Sequence, residues 1–218
     1  MFRSKAKLAR DIAEAYPKAS AIASRIVEVA NNVGTHPYWL ANLINFESAG
    51  TFSSSVQNPS TRATGLIQFM PKTARGMGTT VEQLAQMTPL EQMNWVEAYL
   101  SKYKSKGLNN PTDIYMAVFY PVSIGNPQYK FPDYVARANN GIDTPIAYTI
   151  KANRNAKLPT GLEATVPYDE NEITLNNKKS IALVPKWVWY VSAPILAVSG
   201  YLYIKSVRKR ISSRRRSK

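Results

Sequence analysis

The stretch LINFESAG, Leu43 to Gly50, sets a single carboxylate, Glu47, behind Leu40, Leu43, Ile44 and Phe46. Two effects favour a protonated carboxyl there. Apolar surroundings disfavour the charged form. The carbonyl-rich end of a helix carries partial negative charge, which also opposes a carboxylate. A carboxyl still protonated near neutral pH is what general-acid cleavage of an acetal requires. The other reading of the same residues is a carboxylate on a solvated helix face. A second stretch follows, TGLIQFMPKTA from Thr64 to Ala74, an apolar loop carrying Gln68.

Composition removes several chemistries. The chain of 218 residues has no cysteine, which excludes a disulfide framework and a thiolate zinc site. Its one histidine, His36, excludes a multi-histidine metal centre and reads most simply as a helix-start residue beside Pro37. No phosphate-cradling glycine loop or nucleophile elbow occurs, and no cofactor is expected. An ordinary glycosidase needs two carboxylates at a set separation. Among candidates for the second, Glu91 serves as a helix cap and Glu82 sits in a helix's first turn, where the dipole favours acids. Glu97 and Asp113 occupy helical positions without special context. Asp133, in KFPDYV, is the best remaining candidate.

The elements that must position these residues are helices. Apolar residues at helical spacing (Leu8, Ile12, Ala15; Ile22, Ile26, Val29, Val33) predict helices over 4–16 and 18–32, split by Pro17 and ended by Gly34. Thr35 and Pro37 open a helix that stops near Gly50, and Pro71 opens a short one. Thr80 with Gln83 and Thr88 with Glu91 form capping boxes, the second launching a helix to about Ser105. Asn110 and Pro111 start a helix through Tyr120, and Thr144 and Pro145 start one to about Ala156. Strand signals are few, so the expected fold class is mainly α. Trp39 and Trp95 read as core residues, with sugar platforms as the alternative.

The residues INFESAGTFSSSVQNPSTRATGLIQFMPKTA resemble the catalytic core of the soluble lytic transglycosylases and goose-type lysozymes. That family places a Glu-Ser pair at a helix end, here Glu47-Ser48. A spacer leads to Gly-Leu-Met-Gln-(apolar)-Met-Pro, here Gly65-Leu66-Ile67-Gln68-Phe69-Met70-Pro71. Downstream, MTPLEQMNWVEAYLSKY is similar to the family's next helix, and residues 114–158 resemble phage-borne members. The resemblance spans about residues 35–158 and implies a lysozyme-like helical domain. It implies that Glu47 cleaves the β-1,4 bond between N-acetylmuramic acid and N-acetylglucosamine in peptidoglycan, giving a 1,6-anhydro product. A hydrolysing muramidase on the same fold, or a wall-binding protein without activity, are the alternatives. Ser48, Gln68 and Met70 match family positions at the sugar groove, although Ser48 also reads as a helix-end stabiliser. The family's Ala-Tyr-Asn-Ala-Gly motif is altered to Ala117-Val118-Phe119-Tyr120-Pro121. Tyr120 is the candidate for its tyrosine, and a register placing Phe119 there stays open.

Residues 1–34 are expected to pack on or precede this domain, and 159–182, polar and carrying Pro159 and Pro167, read as a linker. Within 183–204, Trp187 to Ile204 is free of charge and, as a helix, reaches roughly 27 Å, enough for a bilayer core. Trp187, Trp189 and Tyr190 at one end and Tyr201 and Tyr203 at the other match an interfacial belt. One C-terminal transmembrane helix is therefore expected. Of the net charge of +14, eight basic residues fall in 205–218, which holds no acid, leaving only +6 on residues 1–204. The positive-inside rule puts that tail on the cytoplasmic face. The first twenty residues lack the continuous apolar run of a signal peptide. These features suggest two settings: the internal membrane of a phage virion, opening the wall at entry, or a bacterial inner membrane with the domain in the periplasm. Expected partners are peptidoglycan strands, membrane lipid through Trp187 to Ile204, packaged DNA or anionic lipid through Lys205 to Lys218, and virion proteins.

Overall fold

The computed structural model describes residues 4–162. The segments expected to form the membrane span and basic tail, and all but the first residues of the linker, lie outside the described residues. The described chain is mainly helical. Its β-structure is confined to isolated bridges pairing Thr64 with Gln57 and with Phe69.

Helix α3, Pro37–Glu47, is the centre of the fold. Pro37 stands at its first position and His36 caps it, Nδ1 accepting from the Tyr38 amide at 3.1 Å. Leu40, Ala41, Leu43 and Ile44 are fully buried. A helix apolar on nearly every side must be enclosed by others. The neighbours that enclose it are α1 (Lys5–Ala15), α2 (Ala23–Val33) and α7 (Pro111–Phe119). Residues before position 35 thus share one core with those after it: Ile12, Ile26, Val29 and Val33 belong to the same cluster as Leu43, Ile114 and Met116. Each such buried aliphatic side chain contributes roughly 1.5–3 kcal/mol.

The two capping boxes are present. Thr80 starts α5 (Val81–Gln86) and Thr88 starts α6 (Pro89–Ser101), each with its reciprocal glutamine or glutamate. Helix α2 ends at Gly34, whose φ of 82° lets its amide and that of Thr35 turn back onto the Ala30 carbonyl. Helix α6 packs on α2, and Arg25 bridges them to Glu97 at 2.5 Å.

Three expectations about element extent change, and one further helix is found. Residues Pro17–Ile22 form a 3₁₀ segment, and α2 begins only at Ala23. Helix α6 stops at Ser101 rather than about Ser105, passing into a 3₁₀ turn that Gly107 closes with a φ of 79°. Helix α9 (Pro145–Ala152) stops before Asn153 rather than near Ala156, where the Asn153 side chain donates to the Thr149 carbonyl and accepts from the Tyr115 hydroxyl. Helix α8, Asp133–Ala138, is too short to show a period in sequence. The remaining helix, α4, is Pro71–Gly76.

Candidate functional site

Glu47 is the last residue of α3 and is only 5 % exposed. Neither of its carboxyl oxygens has a hydrogen-bond partner among the described residues. Burial pushes its carboxyl up to about 8, and the negative end of α3 acts in the same direction. The acid is therefore protonated at neutral pH. It opens onto a cleft of about 610 Å³ whose lining includes Tyr16, Phe46, Gln57, Asn58 and Gln68.

Local structure explains how the acid is held. Ser48, fully buried, donates to the Ile44 carbonyl at 2.7 Å and accepts from the Phe52 amide at 3.0 Å. Its hydroxyl ties the helix end to the following turn and does not line the cleft. Ala49 and Gly50 then take φ of 50° and 72°, reversing the chain away from α3.

The loop carrying Gln68 is closed by a pair of bonds between Thr64 and Phe69, at 3.0 and 2.8 Å. Gln68 itself sits at φ 54° and donates its amide to the carbonyls of Gly65, at 3.1 Å, and Val56, at 3.3 Å. Gln92 fixes this loop from below. It is fully buried on α6, accepts from the Leu66 amide at 2.7 Å, and donates to the carbonyls of Leu84 and Ser54 at 2.8 and 3.1 Å. Gly65 is required twice over. Its φ is 85°, and a Cβ there would lie 2.2 Å from the Gln92 side-chain oxygen. Met70 precedes α4 as its cap residue and is not among the cleft-lining side chains.

Tyr120 follows α7 and packs with Tyr129 and Phe131, ring centres 5.9 and 5.2 Å away. It is likewise absent from the cleft lining. The register instead turns Phe119 toward Tyr148 of α9, the two rings stacked at 4.1 Å. The hydroxyls near Glu47 come from elsewhere. Burial first, and then the charge of Glu47, hold the Tyr115 and Tyr148 phenols well above their ordinary range. Tyr115 donates to Asn153 at 3.1 Å. The buried Tyr148 hydroxyl has no partner among the described residues. Phe46 lies against both rings, with centres 6.2 and 6.1 Å away.

Among the described residues no other carboxylate lines the cleft. Asp113, buried on α7, accepts from the Gly125 amide at 2.7 Å and from Asn110, and so holds the turn after α7. Glu97 pairs with Arg25 and Asn32, Glu82 with Arg62, and Glu91 with Thr88. Asp133 is exposed at the start of α8. Trp39 and Trp95 pack against the core, and Gly161 is seated on the Trp39 indole. Among the described residues no group of His, Asp or Glu could hold a metal ion.

One part of the site was not legible from local sequence. Asn42, buried inside α3, accepts from the Tyr16 hydroxyl at 2.6 Å and donates to the Leu158 carbonyl at 3.1 Å. The Lys157 amide closes the set by donating to the same hydroxyl at 2.8 Å. This clamp draws residues more than a hundred positions apart into one wall of the cleft. The only local signal for it was a polar residue inside an otherwise apolar helix.

No family model, curated protein or solved structure matches the chain.

Proposed function

We propose that the chain is a peptidoglycan lytic transglycosylase of lysozyme-like helical architecture, with Glu47 as its acid. The observation that carries this reading is a carboxyl at a helix end, both oxygens buried and without partners among the described residues, bordering a cleft, where burial raises its pKa. Such an acid is costly to keep unless a ligand supplies its partner. In the proposed reaction Glu47 donates its proton to the glycosidic oxygen as the bond from muramyl C1 breaks. The resulting carboxylate then takes the proton of the muramyl 6-hydroxyl as O6 bonds to C1. The product is a 1,6-anhydro sugar, water is not consumed, and Glu47 is returned protonated. One acid serves both steps, in keeping with a cleft that holds no second one. The amides of Gln57, Asn58 and Gln68 suit the hydroxyl and acetamido groups of the sugars.

The full-length chain and its Glu47→Gln variant, incubated with purified peptidoglycan, test this by mass spectrometry of the soluble products. Fragments lighter by one water than reducing muropeptides, absent with the variant, are expected. Hydrated reducing ends would replace the reading with a hydrolysing muramidase. Products undiminished in Glu47→Gln would remove Glu47 from the chemistry, and no products at all would favour a wall-binding role. A membrane-tethered setting, in a virion or a bacterial envelope, is the sequence-based part of the proposal. Detection in purified particles but not in uninfected membranes would select the virion.

A further inference from the structure

The cleft beside Glu47 has a chemically divided lining. One set of side chains is neutral: Asn45, Gln57, Asn58 and Gln68. The other is cationic: Lys18 from the 3₁₀ segment, Lys151 from α9, and Lys157 beyond it. The ion pairs of the described residues engage none of these lysines. Among the described residues the only acid in the lining is Glu47, whose carboxyl burial pushes up to about 8. Among the described residues, then, no anion in the lining balances the three lysines.

The lysines are placed by the scaffold. The Lys157 amide is bonded to Tyr16, and its ammonium lies 6.0 Å from the centre of the Tyr16 ring. Lys18 follows Tyr16 by two residues, so the Asn42 clamp that fixes Tyr16 fixes the backbone of both. Lys151 stands one turn after Tyr148 on α9, hence on the same side of that helix as the phenol that the charge of Glu47 reaches. Its ammonium is pulled below the ordinary lysine range by burial and by Arg154. An anion brought to it would relieve both effects.

We propose that Lys18, Lys151 and Lys157 form a carboxylate-binding wall that selects glycan strands bearing acidic substituents over neutral β-1,4 sugar polymers. This rests on the glycan reading given above and deepens it. Muramyl residues offer such carboxylates in two ways. The lactyl group is a free acid where the peptide stem has been removed, and an intact stem carries free carboxylates of its own. The neutral amides hold the sugar ring, and the lysines recognise what hangs from it.

The test uses the full-length Glu47→Gln chain, so that ligands are bound without being cut. Affinities are measured by calorimetry for three probes: a neutral N-acetylglucosamine oligomer, a stem-free muramyl glycan, and the same glycan with stems. At least one acid-bearing probe is expected to bind about tenfold more tightly than the neutral oligomer, with the advantage shrinking as salt rises. Which of the two binds identifies the carboxylate. Lys18→Gln and Lys157→Gln are expected to cost roughly two- to fivefold each, as exposed pairs do. Lys151→Gln, half-buried, should cost about tenfold, and Lys151→Arg should retain the preference. Equal affinity for all three probes would overturn the carboxylate wall while leaving the glycan reading intact. So would a preference that survives in the triple Lys→Gln variant, once its melting curve shows it folded. Binding to none of the probes would overturn the glycan reading and this proposal together.

Discussion

If Glu47 is protonated in the folded chain and ionises normally when unfolded, stability must fall as pH rises. The carboxyl stands at about 8 in the folded state against 4.5 for an unperturbed glutamate. Between those values the native state binds a proton that the unfolded state has released. Stability is therefore highest below pH 4.5 as far as this group is concerned, and it is lost progressively up to about pH 8. Integrating that difference from pH 5 to pH 7 gives a loss of roughly 2.5 kcal/mol, for a midpoint change of roughly 5–10 °C. Other groups titrate over the same range, so the informative quantity is a difference between two proteins. Glu47→Gln keeps the shape and cannot ionise. Melting of wild type and variant at matched pH from 5 to 8 should give curves that diverge, the variant gaining on wild type by that amount by pH 7. Activity of the wild type should fall as pH rises through about 8 and the acid loses its proton. A difference that stays flat from pH 5 to 8 would refute the reasoning. It would mean that Glu47 is ionised and solvated in the native state, and the case for an acid catalyst would go with it.

Gln92→Leu should destabilise the fold by about 3 kcal/mol, because the Leu66 amide and the carbonyls of Ser54 and Leu84 lose their shared partner; chemical denaturation checks it, and a loss below about 1 kcal/mol would count against this bracing of the Gln68 loop. Tyr148→Phe should leave stability unchanged or raise it by about 1 kcal/mol, since the hydroxyl removed is buried and unbonded. The same variant should lower peptidoglycan cleavage by about tenfold or more if that hydroxyl acts beside Glu47, so melting and product release are measured on one preparation. Thr88→Ala, which removes an exposed cap far from the cleft lining, should cost about 1 kcal/mol and leave cleavage rate unaltered.

What the sequence made legible was local. The boxes at Thr80 and Thr88 are bonds between residues three apart, so their partners are read directly from spacing. Proline at the start of α3, α4, α6, α7 and α9 marks five helix starts by the same local logic. Helix ends were less legible where distant groups decide them. Helix α9 ends where Asn153 reaches Tyr115 of α7, a contact 38 positions away in sequence. The 3₁₀ geometry of Pro17–Ile22 likewise has no signature in apolar spacing, which suits an α-helix over the same residues. At the site, the acid stood out because one carboxylate among four apolar residues is conspicuous. Gln92 did not, because a glutamine within an amphipathic helix reads as surface. The lysines of the cleft wall did not either: Lys18 and Lys157 reach it through the Asn42 clamp, and Lys151 through the packing of α9 on α7.

The buried polar groups separate scaffold from site. Asn42, Ser48, Gln92, Asp113 and Asn153 are all buried, and each makes at least two hydrogen bonds that brace distant or reversing segments. Against that background, the buried side chains left without partners among the described residues are Thr35, Glu47 and Tyr148. Two of the three are close enough for the charge of one to shift the other. Random packing faults would be scattered, and here the two lie near each other, with Glu47 bordering the cleft. An unpaired carboxyl and an unpaired phenol destabilise the fold by several kcal/mol together, by the usual magnitude for such groups. The fully buried aliphatic residues of α3 offset that loss. The stability forgone at Glu47 and Tyr148 is recovered when a ligand supplies the missing bonds. Tight ligand binding and a less stable ligand-free protein would then be two consequences of one arrangement.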